Sequence, residues 1–273
     1  MLKLLGGVVL LNVINLFPLT GLNAQKLELL TTKSIANFDF MVADHQSGVV
    51  ISKANGDIDR VDTEGKVLFT FSPAKNGPVK QIDVWSPFKI MVFYDTFQEI
   101  VVLNRFLTET VRHELDSYDL GFVSNVAFNF QQRLWVMDES DFSLKLLDLK
   151  NGNVFVEQPF FQFLDVDNHE ITFMREFKGH LYVVDKFAGV LVFDNLGNLI
   201  RKIDGKGIKY LGFETEKLYY LDGNKLIFLG LYDDSEMVIT LPQGKYKNVQ
   251  KSGDYFFCAS DSQLDIYRYL RED

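Results

Sequence analysis

The sequence predicts an all-β fold, a six-bladed β-propeller with four antiparallel strands in each blade. Three observations predict it. An apolar strand ends in aspartate five times, at Asp95, Asp138, Asp185, Asp222 and Asp261. These aspartates are spaced by 43, 47, 37 and 39 residues. Between them, short apolar–polar alternations are bounded by Gly, Asn and Asp, the pattern of half-buried strands joined by tight turns. A period of about 40 residues with four strands per unit is the signature of a propeller blade.

The fourth repeat is the clearest. Its strands are expected over 170–177, 179–185, 189–194 and 198–203, with Gly197 in the last hairpin, where a positive φ suits glycine. The second repeat runs from Val79 through 89–95, 99–104 and 108–114. The third runs from Val123 through 133–138, 143–148 and 154–159. In the fifth, Lys209 opens, and 217–222, 225–231 and 237–241 follow. In the first repeat Val42-Ala43-Asp44 mimics the aspartate motif, but aligning Val61-Asp62 with Phe193-Asp194 puts Lys53 at the aspartate position. Asp44 then falls at the end of the innermost strand.

The sixth repeat supplies only three strands, over 246–252, 254–261 and 263–270. The segment Lys26-Leu27-Glu28-Leu29-Leu30-Thr31-Thr32 is spare and is expected to complete that blade. Such a closure joins both ends of the chain in one sheet and leaves no open seam in the ring.

Residues 1–24 read as a secretory signal peptide, with 25–273 as one propeller domain. Lys3 precedes an apolar stretch from Leu4 to Phe17, Pro18 breaks it, and Leu22-Asn23-Ala24 offers a cleavage site before Gln25. The other reading is an uncleaved anchor, but the run is short and interrupted for a span. No cysteine follows that could carry a lipid.

The net charge of −9 argues against nucleic acid or anionic lipid as the main partner, since both call for a basic surface. The single cysteine, Cys258, excludes an internal disulfide and a cysteine zinc site. It lies in an apolar strand and is expected to be an inert core thiol.

The residues Gly179-His180-Leu181-Tyr182-Val183-Val184-Asp185, then Gly189-Val190-Leu191-Val192-Phe193-Asp194 and Gly197-Asn198, resemble the repeat of six-bladed NHL-type propellers. The rhythm extends over all six repeats. The resemblance implies a fold and not an activity, because that family includes protein- and RNA-binding modules and relatives of enzymes. Ala-Gln after a leader and a Phe/Asn/Lys-rich propeller also resemble periplasmic proteins of bacteria that use the type 9 secretion route. One accessory subunit of that outer-membrane translocon is a propeller that plugs the periplasmic mouth of the pore.

Two readings of the repeated aspartate compete. A ring of carboxylates could bind a cation. Alternatively, each carboxylate accepts N–H groups of the turn that follows it. Repetition favours the turn, and Lys53 would interrupt a ring. The cluster Asp165-Val166-Asp167-Asn168-His169-Glu170 suits metal coordination in its alternation but lacks the EF-hand spacing, so a solvated loop is expected. No nucleophile motif and no phosphate loop occurs.

Asp83, Asn125, Glu170, Asn248 and Gln250 fall on or near innermost strands and are candidate channel-lining residues. Phe160, Phe161 and Phe163, in a run that ends the third repeat, are a candidate protein interface if exposed, or core if folded between blades. The expected function is a non-enzymatic periplasmic module, without cofactor, that binds other envelope proteins as an accessory, pore-plugging subunit of an outer-membrane protein-export assembly. The alternatives are a calcium-dependent, lactonase-like hydrolase with its site in the channel and a ligand or sugar sensor with an aromatic-lined channel mouth.

Overall fold

The structure is a computed structural model that describes residues 26–75, 77–242 and 246–270. The proposed signal segment 1–24 lies outside them. Among the described residues, twenty-four strands form six four-stranded antiparallel sheets. Blade one holds β2 (Phe38–Ala43), β3 (Val49–Lys53), β4 (Ile58–Val61) and β5 (Val67–Phe71). Blade two holds β6 (Gln81–Ser86), β7 (Lys89–Tyr94), β8 (Glu99–Asn104) and β9 (Glu109–Glu114). Blade three holds β10 (Val123–Phe128), β11 (Leu134–Asp138), β12 (Ser143–Leu147) and β13 (Val154–Pro159). Blade four holds β14 (Ile171–Phe177), β15 (His180–Asp185), β16 (Gly189–Phe193) and β17 (Leu199–Ile203). Blade five holds β18 (Gly212–Phe213), β19 (Lys217–Asp222), β20 (Lys225–Gly230) and β21 (Glu236–Thr240). Blade six holds β22 (Asn248–Ser252), β23 (Tyr255–Ala259) and β24 (Gln263–Leu270), and its outer strand is β1 (Lys26–Ser34).

The middle strands are the most buried, because each face packs on a neighbouring blade. β11, β12 and β16 are buried at every position. The outer strands β9, β13 and β17 mix exposed and half-buried residues, as expected of a strand with one wet side. The core is therefore a series of inter-blade layers. One of them joins Trp135, Met137 and Leu144 of blade three to Met174, Val183 and Phe193 of blade four.

Ring closure is an antiparallel pairing of β1 with β24, from Lys26 opposite Leu270 to Ser34 opposite Gln263, with a bulge between Leu29 and Thr31. Side chains fix that register. Thr32 Oγ1 donates to Asp265 Oδ1 (2.7 Å), and Tyr246 Oη donates to Asp265 Oδ2 (2.7 Å). Cys258 is buried beneath them, and burial pushes its thiol pKa up, so the thiol stays neutral and unreactive.

The aspartates do several jobs. Asp185 is fully buried and accepts the N–H groups of Glu170 (2.7 Å), Phe187 (2.9 Å) and Ala188 (2.7 Å). Asp138 accepts those of Gly121 (2.9 Å) and Ser140 (3.0 Å), and takes Lys145 Nζ at 2.8 Å. Each thus holds its own turn and also the chain arriving from the preceding blade. Among backbone donors of the described residues, Asp95 accepts the Thr96 N–H alone (2.7 Å). Asp222 and Asp261 depart from the expected common turn. Asp222 ends a two-residue hairpin and pairs in register with Lys225. At the sixth blade Ser260 Oγ takes the turn N–H of Gln263 (3.2 Å), and Asp261 forms an ion pair with Lys247 instead. Asp44 ends β2 as expected and forms a buried ion pair with Arg60 (2.8 Å).

A chain beginning at Ile35 would leave β24 as an open edge. Its unfolding in urea should lose cooperativity, and it should aggregate where the longer chain stays monodisperse in size-exclusion chromatography.

Candidate functional site

The channel is lined by β2, β6, β10, β14, β18 and β22, and β18 is the anomaly. It has two residues where the other inner strands have five to seven. The sequence reading placed the start of this strand at Lys209; regular pairing begins only at Gly212. The cause is local. Gly212 lies opposite Tyr219, whose ring crosses the bare glycine, and a Cβ there would fall inside the ring. Tyr219 Oη reaches blade six and accepts the Lys251 N–H (2.8 Å). Tyr210 Oη does the same for the Val249 N–H (2.6 Å). Two phenols thus satisfy N–H groups on the channel-side edge of β22. Burial pushes both phenol pKa values up, so both stay neutral.

The shortened strand leaves space. A cavity of about 590 Å³ opens at the face where the inner strands begin. Its walls include Phe40, Ile82, Phe173 and Tyr210, and its floor includes Gln81, Asn248 and Gln250. Lys80, Lys186, Lys209 and Lys247 line it, with Asp39 and Glu170. A second cavity of about 560 Å³ opens at the opposite face and is lined by Asp44, His45, Arg175 and Glu214 among others.

Between the cavities the channel is crossed. Gln81 Nε2 donates to Val126 O (2.7 Å) and Met174 O (2.5 Å), tying blade two to blades three and four. Asp83, two residues on, is buried, with Arg175 Nε 3.0 Å from Oδ1. That approach is off the line a hydrogen bond needs, so it is a charge contact, and both Asp83 oxygens keep unused accepting capacity. Burial pushes the Asp83 carboxyl pKa up, against the opposing pull of Arg175 and His45.

The candidate channel residues therefore separate. Asp83 sits in the crossing. Asn125 is satisfied with its amide nitrogen turned to Ile171 O (3.2 Å), which commits it to the joint between blades three and four. Asn248 and Gln250 are buried in the floor and bonded to each other (3.1 Å). Glu170 stands on the rim, where it pairs with Lys186. Among the described residues no three His, Cys, Asp or Glu side chains gather as a metal would require. Sequence reasoning missed Gln81, although it shares a strand face with Asp83. It also missed the four lysines, which come from separate blades and connections.

The phenylalanine run is split. Phe160 is 0% exposed and packs on Phe142 (5.9 Å between ring centres) and Phe193 (5.5 Å). Phe163 is half-buried against Phe193 (5.2 Å). Both act as a staple between blades three and four, which removes them from a contact surface. Phe161 is 61% exposed. In the following loop, His169 stacks near Phe142 and directs Nε2 to Glu139 (3.0 Å) and Nδ1 to Val166 O (2.9 Å).

Tyr219→Phe leaves a buried N–H without its acceptor and should cost about 1–3 kcal/mol in urea unfolding. Lys251 amide exchange should accelerate. In His169, burial disfavours the charge, but the Glu139 carboxylate and the Val166 carbonyl outweigh it and raise the pKa. The resulting stabilisation is fully present below the unfolded-state pKa of about 6.5 and fades as pH rises through the folded value. Proton NMR should show His169 titrating above an ordinary histidine, and Glu139→Gln should lower its pKa.

No family model and no curated protein matches the chain. Solved structures do. It is similar to the Pan2 WD40 domain of Neurospora crassa, with a TM-score of 0.64 at 11% identity over 92% of this chain and 98% of that one. It is similar to a streptogramin B lyase, with a TM-score of 0.61 at 12% identity over 89% and 98%. It is also similar to virginiamycin B lyase from Staphylococcus aureus, with a TM-score of 0.62 at 10% identity over 90% and 100%. At these identities the likeness is one of fold, and the chain is a six-bladed β-propeller of an architecture common to WD40 domains and to lyases.

Proposed function

We propose that this chain is a non-catalytic binding module of the bacterial envelope, an accessory subunit that docks a protein partner on one face of its disc. One observation carries the reading. Phe122, Phe161, Val166 and Phe187 are large, apolar and exposed. All four lie on turns and connections of blades three and four, at the face where the inner strands begin.

The segments that carry them are braced to one another. Phe122 donates its N–H to Ser140 Oγ (2.8 Å) and accepts the Glu139 N–H (2.8 Å). Glu139 holds His169, whose Nδ1 meets the Val166 carbonyl. Asp185 ties the Phe187 turn to Glu170. Beneath Phe161, the Phe160–Phe163 staple anchors the chain to the core. Aromatic anchors on a pre-ordered support lose little entropy on binding, which is what an interface hot spot needs.

The export part of the reading rests on the leader-like segment 1–24 and on the resemblance to periplasmic propellers. The partner of choice is an outer-membrane protein-export assembly, and the periplasm is the compartment.

Phe161→Asp, alone and with Phe187→Asp, should leave stability within about 0.5 kcal/mol, because both side chains are exposed. Affinity-tagged protein recovered from gently solubilised envelopes should bring down a stoichiometric partner. The variants should lose it by tenfold or more, about 1.4 kcal/mol. Recovery of the same partner at the same yield by both variants would sink this docking surface.

A further inference from the structure

The cavity of about 590 Å³ at the channel mouth has a chemistry of its own. The chain carries a net charge of −9, yet four lysines and only two carboxylates line this cavity. Lys186 is paired with Glu170 and Lys247 with Asp261, whereas Lys80 and Lys209 have no acidic partner among the described residues. Lys209 is carried to the mouth by the irregular segment that replaces the first half of an inner strand. That segment is held by the Gly207 N–H on Lys186 O (3.0 Å), by buried Ile208 and by the Tyr210 hydroxyl on Val249 N–H. The cation is therefore placed by fixed structure.

The floor is closed by hydrogen bonds within the ring. Gln81 lines the cavity and is buried, with its Nε2 already donating to Val126 O and Met174 O. Its Oε1 is buried with no donor among the described residues. That atom is enclosed, so polar recognition falls to the lysines at the rim. The walls bring Phe40, Phe173 and Tyr210, which suit the apolar face of a small ring. The volume lies in the range of small-molecule sites.

We infer that the channel mouth binds a sugar-sized organic anion, with its carboxylate or phosphate on Lys80 and Lys209 and its ring against Phe40, Phe173 and Tyr210. The low dielectric of a concave, partly apolar mouth strengthens the lysine contacts relative to a flat surface. The site is separate from the Phe161 platform and does not depend on it.

Isothermal titration calorimetry of the purified chain with galacturonate, glucose 6-phosphate, galactose and glucose tests the inference. At least one acidic sugar should bind with one site per chain, and at least about tenfold more tightly than its neutral counterpart. Which acid binds separates carboxylate from phosphate recognition. Raising salt from about 20 to 200 mM should weaken the acidic sugar and leave the neutral one unchanged. Lys80→Glu with Lys209→Glu should reduce the acidic sugar to the neutral level with an unchanged circular dichroism spectrum, and Phe161→Asp should leave binding intact. Equal binding of acidic and neutral sugars, undiminished binding by the double variant, or no heat from either acid at about 10 mM would overturn it.

Discussion

Pairing of β1 with β24 is the interaction on which the ring depends. Every blade buries its middle strands against its neighbours, so the packing has to run around the whole circle. A seam between the last and first blades would leave one strand edge and two apolar faces in water. The chain avoids it by placing its first described strand outside its last one, so that opening the seam means breaking a sheet. Asp265 adds direction to that joint, because its two oxygens take a hydroxyl from β1 and a phenol from the loop before β22.

Within the closed ring, the one irregular inner strand shapes the channel. Blade five keeps only two residues of regular β18, and Tyr210 and Tyr219 reach across to accept N–H groups of β22 in blade six. Buried N–H groups rarely stay unpaired, so these two phenols tie the irregular segment to its neighbour. The shortening opens a polar cavity beside an otherwise crossed channel. The two proposed surfaces thus come from different departures from the repeat. One is a shortened strand at blade five, and the other is the elaborated connection between blades three and four.

The aspartate spacing is a good ruler and a poor guide to chemistry. Asp138 and Asp185 lie at equivalent positions and share a role, since each binds its own turn and the incoming chain. Asp222 and Asp261 occupy the same sequence position, but their turns close through backbone pairing or Ser260, and both side chains are exposed, that of Asp261 in an ion pair with Lys247. The Phe160–Phe163 run shows the same limit. A 3-10 turn over Phe160–Gln162 rotates successive rings in different directions, so one is core, the next is exposed and the last is half-buried. Sequence neighbours with one composition therefore end in three environments.

The number of blades, the order of strands and the job of the N-terminal strand are legible in the amino-acid order. These follow from local alternation and turn residues repeated at a steady period, and local patterns survive in one dimension. Tertiary structure alone decided which polar residues share the channel. Gln81 meets carbonyls 45 and 93 residues away, and Asp83 meets Arg175 from another blade. It also decided that four dispersed lysines line one mouth. Such meetings depend on how six sheets are angled around an axis, and no spacing along the chain encodes them.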